Sequence, residues 1–204
     1  HDVRCPEFAT FDRDRLEFAG KMRFPLLIKP LHGDASAGVD DSSLVKDYVS
    51  LVQRINFIQN EVNDTALVEE YIEGREFYVS FLGNDPPEVL PLIEIRPPTA
   101  FFDFTSKYQK GLTEYIVPAD IDQALAERIR QTALAAHDAL GCEAFSRVDL
   151  RVDEKGGPYV LEINTIPGFT ETSLFPKAAF KAGHSFAGVC EKLLDLAYGK
   201  KVKH

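Results

Sequence analysis

The chain has 204 residues, of which 45% are hydrophobic and 27% are charged, and its formal net charge is -9. This length suggests one large domain or two small ones, and the hydrophobic content is enough for a buried core, which excludes intrinsic disorder. The negative charge argues against a general binder of nucleic-acid backbones, although a local nucleotide site stays open.

Cysteine and histidine usage narrows the classes further. Three scattered cysteines, with no CxxC pair, favour a reducing compartment over a disulfide framework. The five histidines lack zinc-site spacing, and no apolar run approaches the length of a membrane span. We therefore expect a cytoplasmic protein with no membrane or nucleic-acid partner. The chain begins at His1 rather than at methionine, which indicates a fragment or a processed piece of a longer protein.

The first predicted elements are a buried strand over 24–28, a loop of small residues over 31–41 and an amphipathic helix over 44–58. Three strands are predicted next, over 66–72, 76–82 and 89–95. A turn at Glu73 and Gly74 separates the first two of them.

The second half of the chain begins with a long connection over 97–113, and such loops are often functional. A helix is predicted from Asp120 to the glycine at 141, with Gln123 as the partner in a capping box. A hairpin is predicted from strands over 145–152 and 159–163, and a final helix over 186–194.

Strands and helices alternate irregularly along the chain, and hairpins are mixed among them. This order favours an α+β fold over a doubly wound parallel sheet. A boundary near 81–83 would divide the chain into a smaller lobe over 1–82 and a larger lobe over 83–204.

The predicted hairpin carries the most informative group of polar residues. Arg147 and Asp149 are two apart on its first strand, and Glu162 and Asn164 are two apart on its second, so pairing would gather them on one face. Two carboxylates and an amide oxygen are the ligands that Mg²⁺ prefers. The alternative is a hairpin whose charged face is simply solvated, and the pattern alone leaves both interpretations open.

A second candidate site combines Lys29, at the end of a buried strand, with the small-residue loop over 33–38. Such a loop suits backbone N–H contacts to phosphate, but it matches neither a Walker A loop nor a GxGxxG fingerprint. The commoner alternative is an ordinary connecting loop.

Two further stretches have both a functional and an ordinary interpretation. The acidic stretch over 69–76 is either an adenine-binding strand edge, with Glu76 holding ribose hydroxyls, or a charged surface turn. Lys107 and Tyr108 belong either to a lid that brings positive charge to phosphate or to a solvated segment beside core aromatics.

The motifs LLIKP, GDASAG, VEEYIEGREF, FDFTSKY, SRVDL and VLEINTIPGFTETSLFP occur in this order. Together they resemble the ATP-grasp enzymes, and most closely the D-alanine–D-alanine ligases, from about Cys5 to the final helix. The resemblance implies an ATP-grasp fold of two α+β lobes with the nucleotide site between them. The N-terminal domain of the family has no counterpart in these residues.

The resemblance assigns roles residue by residue. Arg147 would stabilise the tetrahedral intermediate, and Tyr108 matches the tyrosine of members that make a dipeptide. The implied ATP-binding set is Lys29, Gly33, Ser36, Gly38, Glu69, Tyr71, Ile72, Glu76 and Lys107. The implied metal ligands for two Mg²⁺ ions, or Mn²⁺ in their place, are Asp149, Glu162 and Asn164. The implied set for the second substrate is Gly168, Ser173 and Leu174, with Ser173 also counted as catalytic.

The implied reaction is ATP-dependent ligation of a carboxylate and an amine through an acyl phosphate, with D-alanine as the expected substrate and peptidoglycan biosynthesis as the expected role. A homodimer is one expected arrangement, because ligases of this type are commonly dimers. Two departures weaken the match, since Ala35 replaces a usual serine and Glu70 replaces a commonly basic residue. The alternatives are a ligase for another amino-acid pair and an ATP-binding module without ligase activity of its own.

Overall fold

A computed structural model describes residues 1–13, 15–19, 21–33, 38–96, 113–170 and 172–199. Its contacts divide the chain into two compact units. The first unit comprises Pro6–Ile72 and Pro97–Thr113, and the second comprises His1–Cys5, Glu73–Arg96 and Glu114–His204.

The first unit contains a five-stranded sheet in the order β2-β1-β5-β3-β4, in which every neighbouring pair is antiparallel. A helix, α1, begins after Asp47, whose carboxylate accepts a hydrogen bond from the Ser50 amide at 2.9 Å and so satisfies a free N–H of the first turn. The elements are β1 (Phe8–Asp12), β2 (Arg15–Ala19), β3 (Leu26–Pro30), β4 (Leu44–Val45), α1 (Tyr48–Phe57), a π-helical turn (Ile58–Val62) and β5 (Ala66–Glu70).

The apolar stripe that predicted a helix over 44–58 is only partly buried. Ile55 and Ile58 lie in the core of the first unit, but Tyr48 and Val52 are 75% and 55% exposed. Leu44 lies in β4 rather than in the helix, because the Asp47 cap fixes the helix start at Tyr48. The core of this unit consists of Leu26, Ile28, Val45, Ile55, Ile58, Ala66 and Val68.

The second unit contains an antiparallel sheet in the order β11-β10-β6-β8-β9, with β7 paired to β6. Its strands are β6 (Arg75–Leu82), β7 (Glu88–Val89), β8 (Ile93–Arg96), β9 (Glu114–Ile116), β10 (Phe145–Val152) and β11 (Pro158–Asn164). Its helices are α2 (Gln123–Ala139), α3 (Leu174–Lys181) and α4 (Phe186–Gly199).

One face of this sheet packs against α2. The apolar positions of β6 and β10 alternate with polar ones, and the apolar side chains meet Leu125, Ile129 and Ala133 of the helix in one buried cluster. The opposite face is thereby left to the polar side chains. The prediction that α2 starts at Asp120 is wrong, because Asp122 is the capping residue and its carboxylate accepts from the Leu125 amide at 2.9 Å.

β5 and β6 follow one another in the chain but belong to different sheets, so residues 71–74 connect two units and do not close a hairpin. The change of unit between Ile72 and Glu73 differs from the boundary near 81–83 expected from the sequence. The reason is that β6 pairs along its whole length with β10, a strand distant in sequence.

The β10–β11 hairpin contains a bulge. Asp149 pairs with Glu162, whereas the next residue, Leu150, pairs with Val160, so Leu161 is an extra residue in β11. Val160 therefore lies in the core beside Leu150 although Glu162, two residues on, faces the other way.

Candidate functional site

The polar face of the second sheet gathers the four residues that the hairpin pattern predicts to lie together. Arg147 pairs with Asn164, and Asp149 pairs with Glu162, so the two rows are adjacent. The predicted strand pairing is therefore confirmed, whereas the chemical roles of these residues stay predictions.

Arg147 and Asp149 form a bidentate pair. Arg147 Nε donates to Asp149 Oδ1 at 2.6 Å, and Nη2 donates to Oδ2 at 2.8 Å. Asp149 is only 3% exposed. Burial raises the pKa of Asp149 to about 7, with the Arg147 charge opposing the rise and nearby Glu162 adding to it. The pKa of Arg147 is raised despite its burial, because Asp149 favours the charged guanidinium, so this cation is permanent.

Glu162 and Asn164 lie beside this pair at the open end of the hairpin. Asn164 Nδ2 donates to Glu162 Oε1 at 2.9 Å, and the same oxygen lies 3.8 Å from Arg147 Nη2. The Glu162 side chain is 51% exposed, in contrast to Asp149. One buried and one accessible carboxylate therefore lie side by side at the edge of the face.

The donor set fits a hard cation. Asp149, Glu162 and Asn164 supply oxygen ligands alone, which suits Mg²⁺ rather than a softer metal. A cation at this place would also offset the cost of charging a buried carboxylate next to a second one. Among the residues that the structure describes there is no group of three or more His, Cys, Asp and Glu side chains able to hold a metal, and the candidate set instead combines two carboxylates with one amide oxygen.

The neighbouring strand β6 adds two residues to the same face. Tyr78 pairs with Asp149, and its ring centroid lies 4.9 Å from Arg147 Cζ. The Tyr78 hydroxyl donates to Oε1 of Glu76 at 3.0 Å, and Glu76 is 8% exposed. The sequence pattern predicted a role for Glu76 but not for Tyr78, because a tyrosine in an apolar strand looks like an ordinary core residue.

In the first unit, Lys29 and Glu69 form a short ion pair. Lys29 lies on β3 and Glu69 on β5, and Nζ and Oε2 are 2.6 Å apart. The side chains are 23% and 12% exposed, respectively, so the lysine is only partly screened by water. Next along the chain, Tyr71 and Ile72 are half-buried, and the Tyr71 amide donates to the Pro25 carbonyl at 3.0 Å. Three members of the predicted ATP-binding set, Glu69, Tyr71 and Ile72, thus lie within four residues at the end of β5.

The small-residue loop is described only at its two ends, by Gly33 and Gly38. Gly38 has φ +74°, and a Cβ added there would lie 2.8 Å from the Pro30 side chain, so glycine is required by both backbone and space. Arg54 Nη2 donates to the Gly38 carbonyl at 2.6 Å. Arg54 is 5% exposed, and the helical pattern gave no signal that this residue would hold the loop. Ser36, Lys107 and Tyr108, as well as Ala35, lie outside the described residues.

Gly168, Ser173 and Leu174 lie in the segment between β11 and α3. Ser173 Oγ accepts from the Thr170 amide at 3.1 Å, and a Cβ at Gly168 would lie 3.0 Å from this oxygen. Leu174 begins α3 and is half-buried. Phe169 anchors the segment by packing against α4, since its ring centroid lies 4.9 Å from that of Phe186. Sequence reasoning missed helix α3, although a serine followed two residues later by an apolar residue and a proline is a usable start signal.

The solved structures that resemble this chain include ligases that join D-amino acids. A D-alanine–D-alanine ligase from Bacillus anthracis complexed with ATP matches with a TM-score of 0.76 and 28% identity, over 96% of this chain and 61% of that one. A VanG D-Ala:D-Ser ligase from Enterococcus faecalis matches with a TM-score of 0.77 and 31% identity, over 95% and 57%. The predicted α+β, ATP-grasp fold is confirmed by these neighbours.

The chain belongs to the family described as D-ala D-ala ligase C-terminus, which matches residues 7–195. It is 39% identical over 191 residues to a D-alanine–D-alanine ligase from Carboxydothermus hydrogenoformans, covering 93% of this chain and 60% of that protein. It is also 37% identical over 200 residues to a protein of Sinorhizobium fredii named uncharacterized protein y4sG, covering 96% and 58%. The chain thus spans less than two thirds of the length of these relatives.

None of the helices in the described part of the chain combines the length and the apolar character that crossing a membrane requires.

Proposed function

We propose that this chain is the ATP-grasp portion of an ATP-dependent carboxylate–amine ligase of the D-alanine–D-alanine ligase type. The observation that carries the proposal is the polar face of the second sheet, where Arg147, Asp149 and Glu162 lie together with Asn164. Membership of the D-ala D-ala ligase family supports the reaction class. D-Alanine is the proposed substrate, peptidoglycan biosynthesis the proposed role, the cytoplasm the proposed location and a homodimer the proposed assembly.

In the proposed reaction, the γ-phosphoryl group of ATP passes to the carboxylate of the first amino acid, and ADP is released. The amine of the second amino acid attacks the resulting acyl phosphate, a peptide bond forms, phosphate leaves and the amine loses a proton. Positioning and charge neutralisation supply most of the catalysis in such transfers.

Mg²⁺, or Mn²⁺ in its place, would be held by Asp149, Glu162 and Asn164 and would neutralise charge on the phosphates when bound. The proposed number of ions is two. Arg147 contributes a fixed positive charge for the tetrahedral oxyanion, and it cannot act as a proton donor because its pKa is raised.

The remaining residues of the proposal bind or orient the substrates. Lys29, which already lies against Glu69, supplies positive charge for phosphate, while Glu69 itself faces the adenine. Gly168, Ser173 and Leu174 bind the carboxylate of the second amino acid. The proposal further includes Gly33, Ser36, Gly38, Tyr71, Ile72, Glu76, Lys107 and Tyr108 in the roles that the family resemblance implies.

Binding of a nonhydrolysable ATP analogue, measured by titration calorimetry with and without Mg²⁺, tests the assignment. Glu162→Gln should weaken Mg²⁺-dependent binding by about tenfold or more, since even outer-shell partners of metal ligands cost roughly 10- to 100-fold. Glu154→Gln is the matched control, because Glu154 is an exposed carboxylate in the turn of the same hairpin. Equal Mg²⁺ dependence in both variants would contradict the metal site.

A second candidate is a nucleotide-binding module without ligase activity of its own. One observation favours it: Ala35 replaces a serine that is usual in these ligases, which leaves the substrate-side network incomplete. The two candidates differ in phosphate release from MgATP, which D-alanine should stimulate only if the chain is a ligase. A coupled phosphate assay with and without D-alanine therefore separates them.

A further inference from the structure

Tyr78 lies between two groups to which the proposed function gives different tasks. Its ring lies against the guanidinium of Arg147, 4.9 Å from Cζ to the centroid, and its hydroxyl donates to Glu76 at 3.0 Å. The residue is 3% exposed. One buried side chain therefore contacts both the arginine and the carboxylate proposed to bind ribose.

The position of Tyr78 follows from the register of the sheet. Tyr78 is opposite Asp149 on β10, and Glu76 is two residues away on the same strand, so all three share a face. Asp149 holds Arg147 from one side by two hydrogen bonds, and the Tyr78 ring contacts it as well. Cation–π contacts are stronger when they are removed from water, as this one is.

The hydrogen bond from the Tyr78 hydroxyl to Glu76, here called the hydroxyl arm, has a defined donor and acceptor. The phenol O–H is the donor and the Glu76 carboxylate the acceptor, over a distance of 3.0 Å between Oη and Oε1. A carboxylate can accept several hydrogen bonds, so this donor can fix the orientation of Glu76 without exhausting its capacity. Ribose hydroxyls need such a fixed acceptor to be distinguished from a deoxy position.

We propose that Tyr78 is a positioning residue that holds Arg147 through its ring and Glu76 through its hydroxyl, and that it thereby sets how strongly the site prefers a ribonucleotide over a deoxynucleotide. This rests on the proposed function, in which Glu76 binds the ribose.

The test of the hydroxyl arm compares the affinities for an imidotriphosphate ATP analogue and for its 2′-deoxy and 3′-deoxy forms, with Mg²⁺ present. The wild-type protein should prefer the ribonucleotide over at least one deoxy form. Tyr78→Phe should reduce that preference by about three- to tenfold, the range expected when one hydrogen bond of ordinary strength is lost. The melting temperature of each variant is recorded to separate this effect from lost stability.

Tyr115→Phe is the matched control. Tyr115 is a half-buried tyrosine of the same sheet, and Lys177 Nζ lies 4.2 Å from its ring centroid, so it too carries a cation over its ring. Its replacement should leave the ribose preference unchanged. A preference that is equal in wild-type and Tyr78→Phe protein overturns the inference, and so does a wild-type protein that binds all three nucleotides equally.

The contact between the Tyr78 ring and Arg147, here called the ring arm, is tested by nuclear magnetic resonance without nucleotide. Arg147 Hε should show nuclear Overhauser contacts to the Tyr78 ring protons and an upfield shift caused by the ring, and both should persist in Tyr78→Phe. Their absence from folded wild-type protein overturns this arm. If the protein does not bind MgATP at all but the ring contacts are intact, the proposed function and the hydroxyl arm are refuted, and the ring arm stands.

Discussion

His137 is a buried histidine that works as a structural hydrogen-bonding residue. It lies on the inner side of α2, 3% exposed, and its Nδ1 is 2.7 Å from the Ser146 hydroxyl of β10. Phe81 packs on its ring at 4.7 Å between centroids. Burial lowers the pKa of His137 below its ordinary value of 6.5, with nearby Asp138 opposing the shift. The folded protein therefore favours the neutral ring.

This shift predicts that acid destabilises the fold. Below the ordinary pKa of histidine, His137 binds a proton in the unfolded chain but stays neutral in the folded chain. The stability contributed by neutral His137 is therefore fully present above about pH 6.5 and is lost as the pH falls through the folded pKa. Urea unfolding at about pH 7.5 and about pH 5 measures the loss, to which other groups also contribute. His137→Gln keeps a partner for Ser146 and should show a smaller loss. An identical pH dependence in the two proteins would contradict this role.

Residue-scale sequence reasoning succeeded where the signal is local. Arg147, Asp149, Glu162 and Asn164 could be placed together because strand alternation has a fixed period of two, and the register agrees. Tyr78 could not be identified, because Arg147 is distant in sequence and a tyrosine is ordinary in an apolar strand. Arg54 could not be identified, because its acceptors lie outside the helix and an arginine is ordinary in a helix. Contacts of this kind become visible only once the strands are paired.

At the scale of elements, the segment after the small-residue loop is organised by one buried arginine of α1. Arg54 donates to the Gly38 carbonyl and to the hydroxyls of Ser42 and Ser43, at 2.6, 2.7 and 2.8 Å. Its Nε is buried and has no hydrogen-bond partner among the residues that the structure describes. This side chain adds to the backbone hydrogen bond of the short 3-10 helix Asp41–Ser43, from the Ser43 amide to the Asp40 carbonyl.

Arg54→Met should therefore destabilise the protein by about 2–4 kcal/mol, because the buried Ser43 hydroxyl and the Gly38 carbonyl lose their donor. Arg13→Met is the matched control. Arg13 is exposed and donates to the Gln59 carbonyl at 3.0 Å, so its loss should cost about 1 kcal/mol or less. The measurement is the free energy of unfolding in urea. Similar losses in the two variants would show that Arg54 does not organise the segment.

Element-scale prediction from sequence found α2 and the β10–β11 hairpin, which have long periodic patterns and local turns, although it began α2 at Asp120, before the capping residue Asp122. It failed for the stretch 66–82, where two successive strands enter different sheets. No local pattern encodes that separation, since each strand is apolar enough for either sheet. The N-terminal pair β1 and β2 was also missed.

At the scale of the whole molecule, each unit has a buried core of its own. Ile129 is fully buried in the core of the second unit, and Ile28 is fully buried in that of the first. The chain passes from one unit to the other several times, because the first unit is inserted between parts of the second.

Two separate cores predict two cooperative regions in hydrogen exchange. Ile129→Ala should accelerate amide exchange mainly in the second unit, and Ile28→Ala mainly in the first, with losses of about 2–4 kcal/mol in the affected unit. Exchange followed by mass spectrometry on both variants provides reciprocal controls. If either substitution accelerates both units equally, the molecule unfolds as one cooperative region.

The extra residue Leu161 has a consequence for how this hairpin can change during evolution. The alternation of the two strand faces shifts by one residue at the bulge, so that Val160 is directed to the core and Glu162 away from it. Substitutions leave this shift intact, whereas loss of one residue here would remove it and turn either the polar residues Glu162 and Asn164 or the core residues to the wrong face. The hairpin can therefore change by substitution at individual positions, whereas a deletion at Leu161 would change the face of every residue on one side of it.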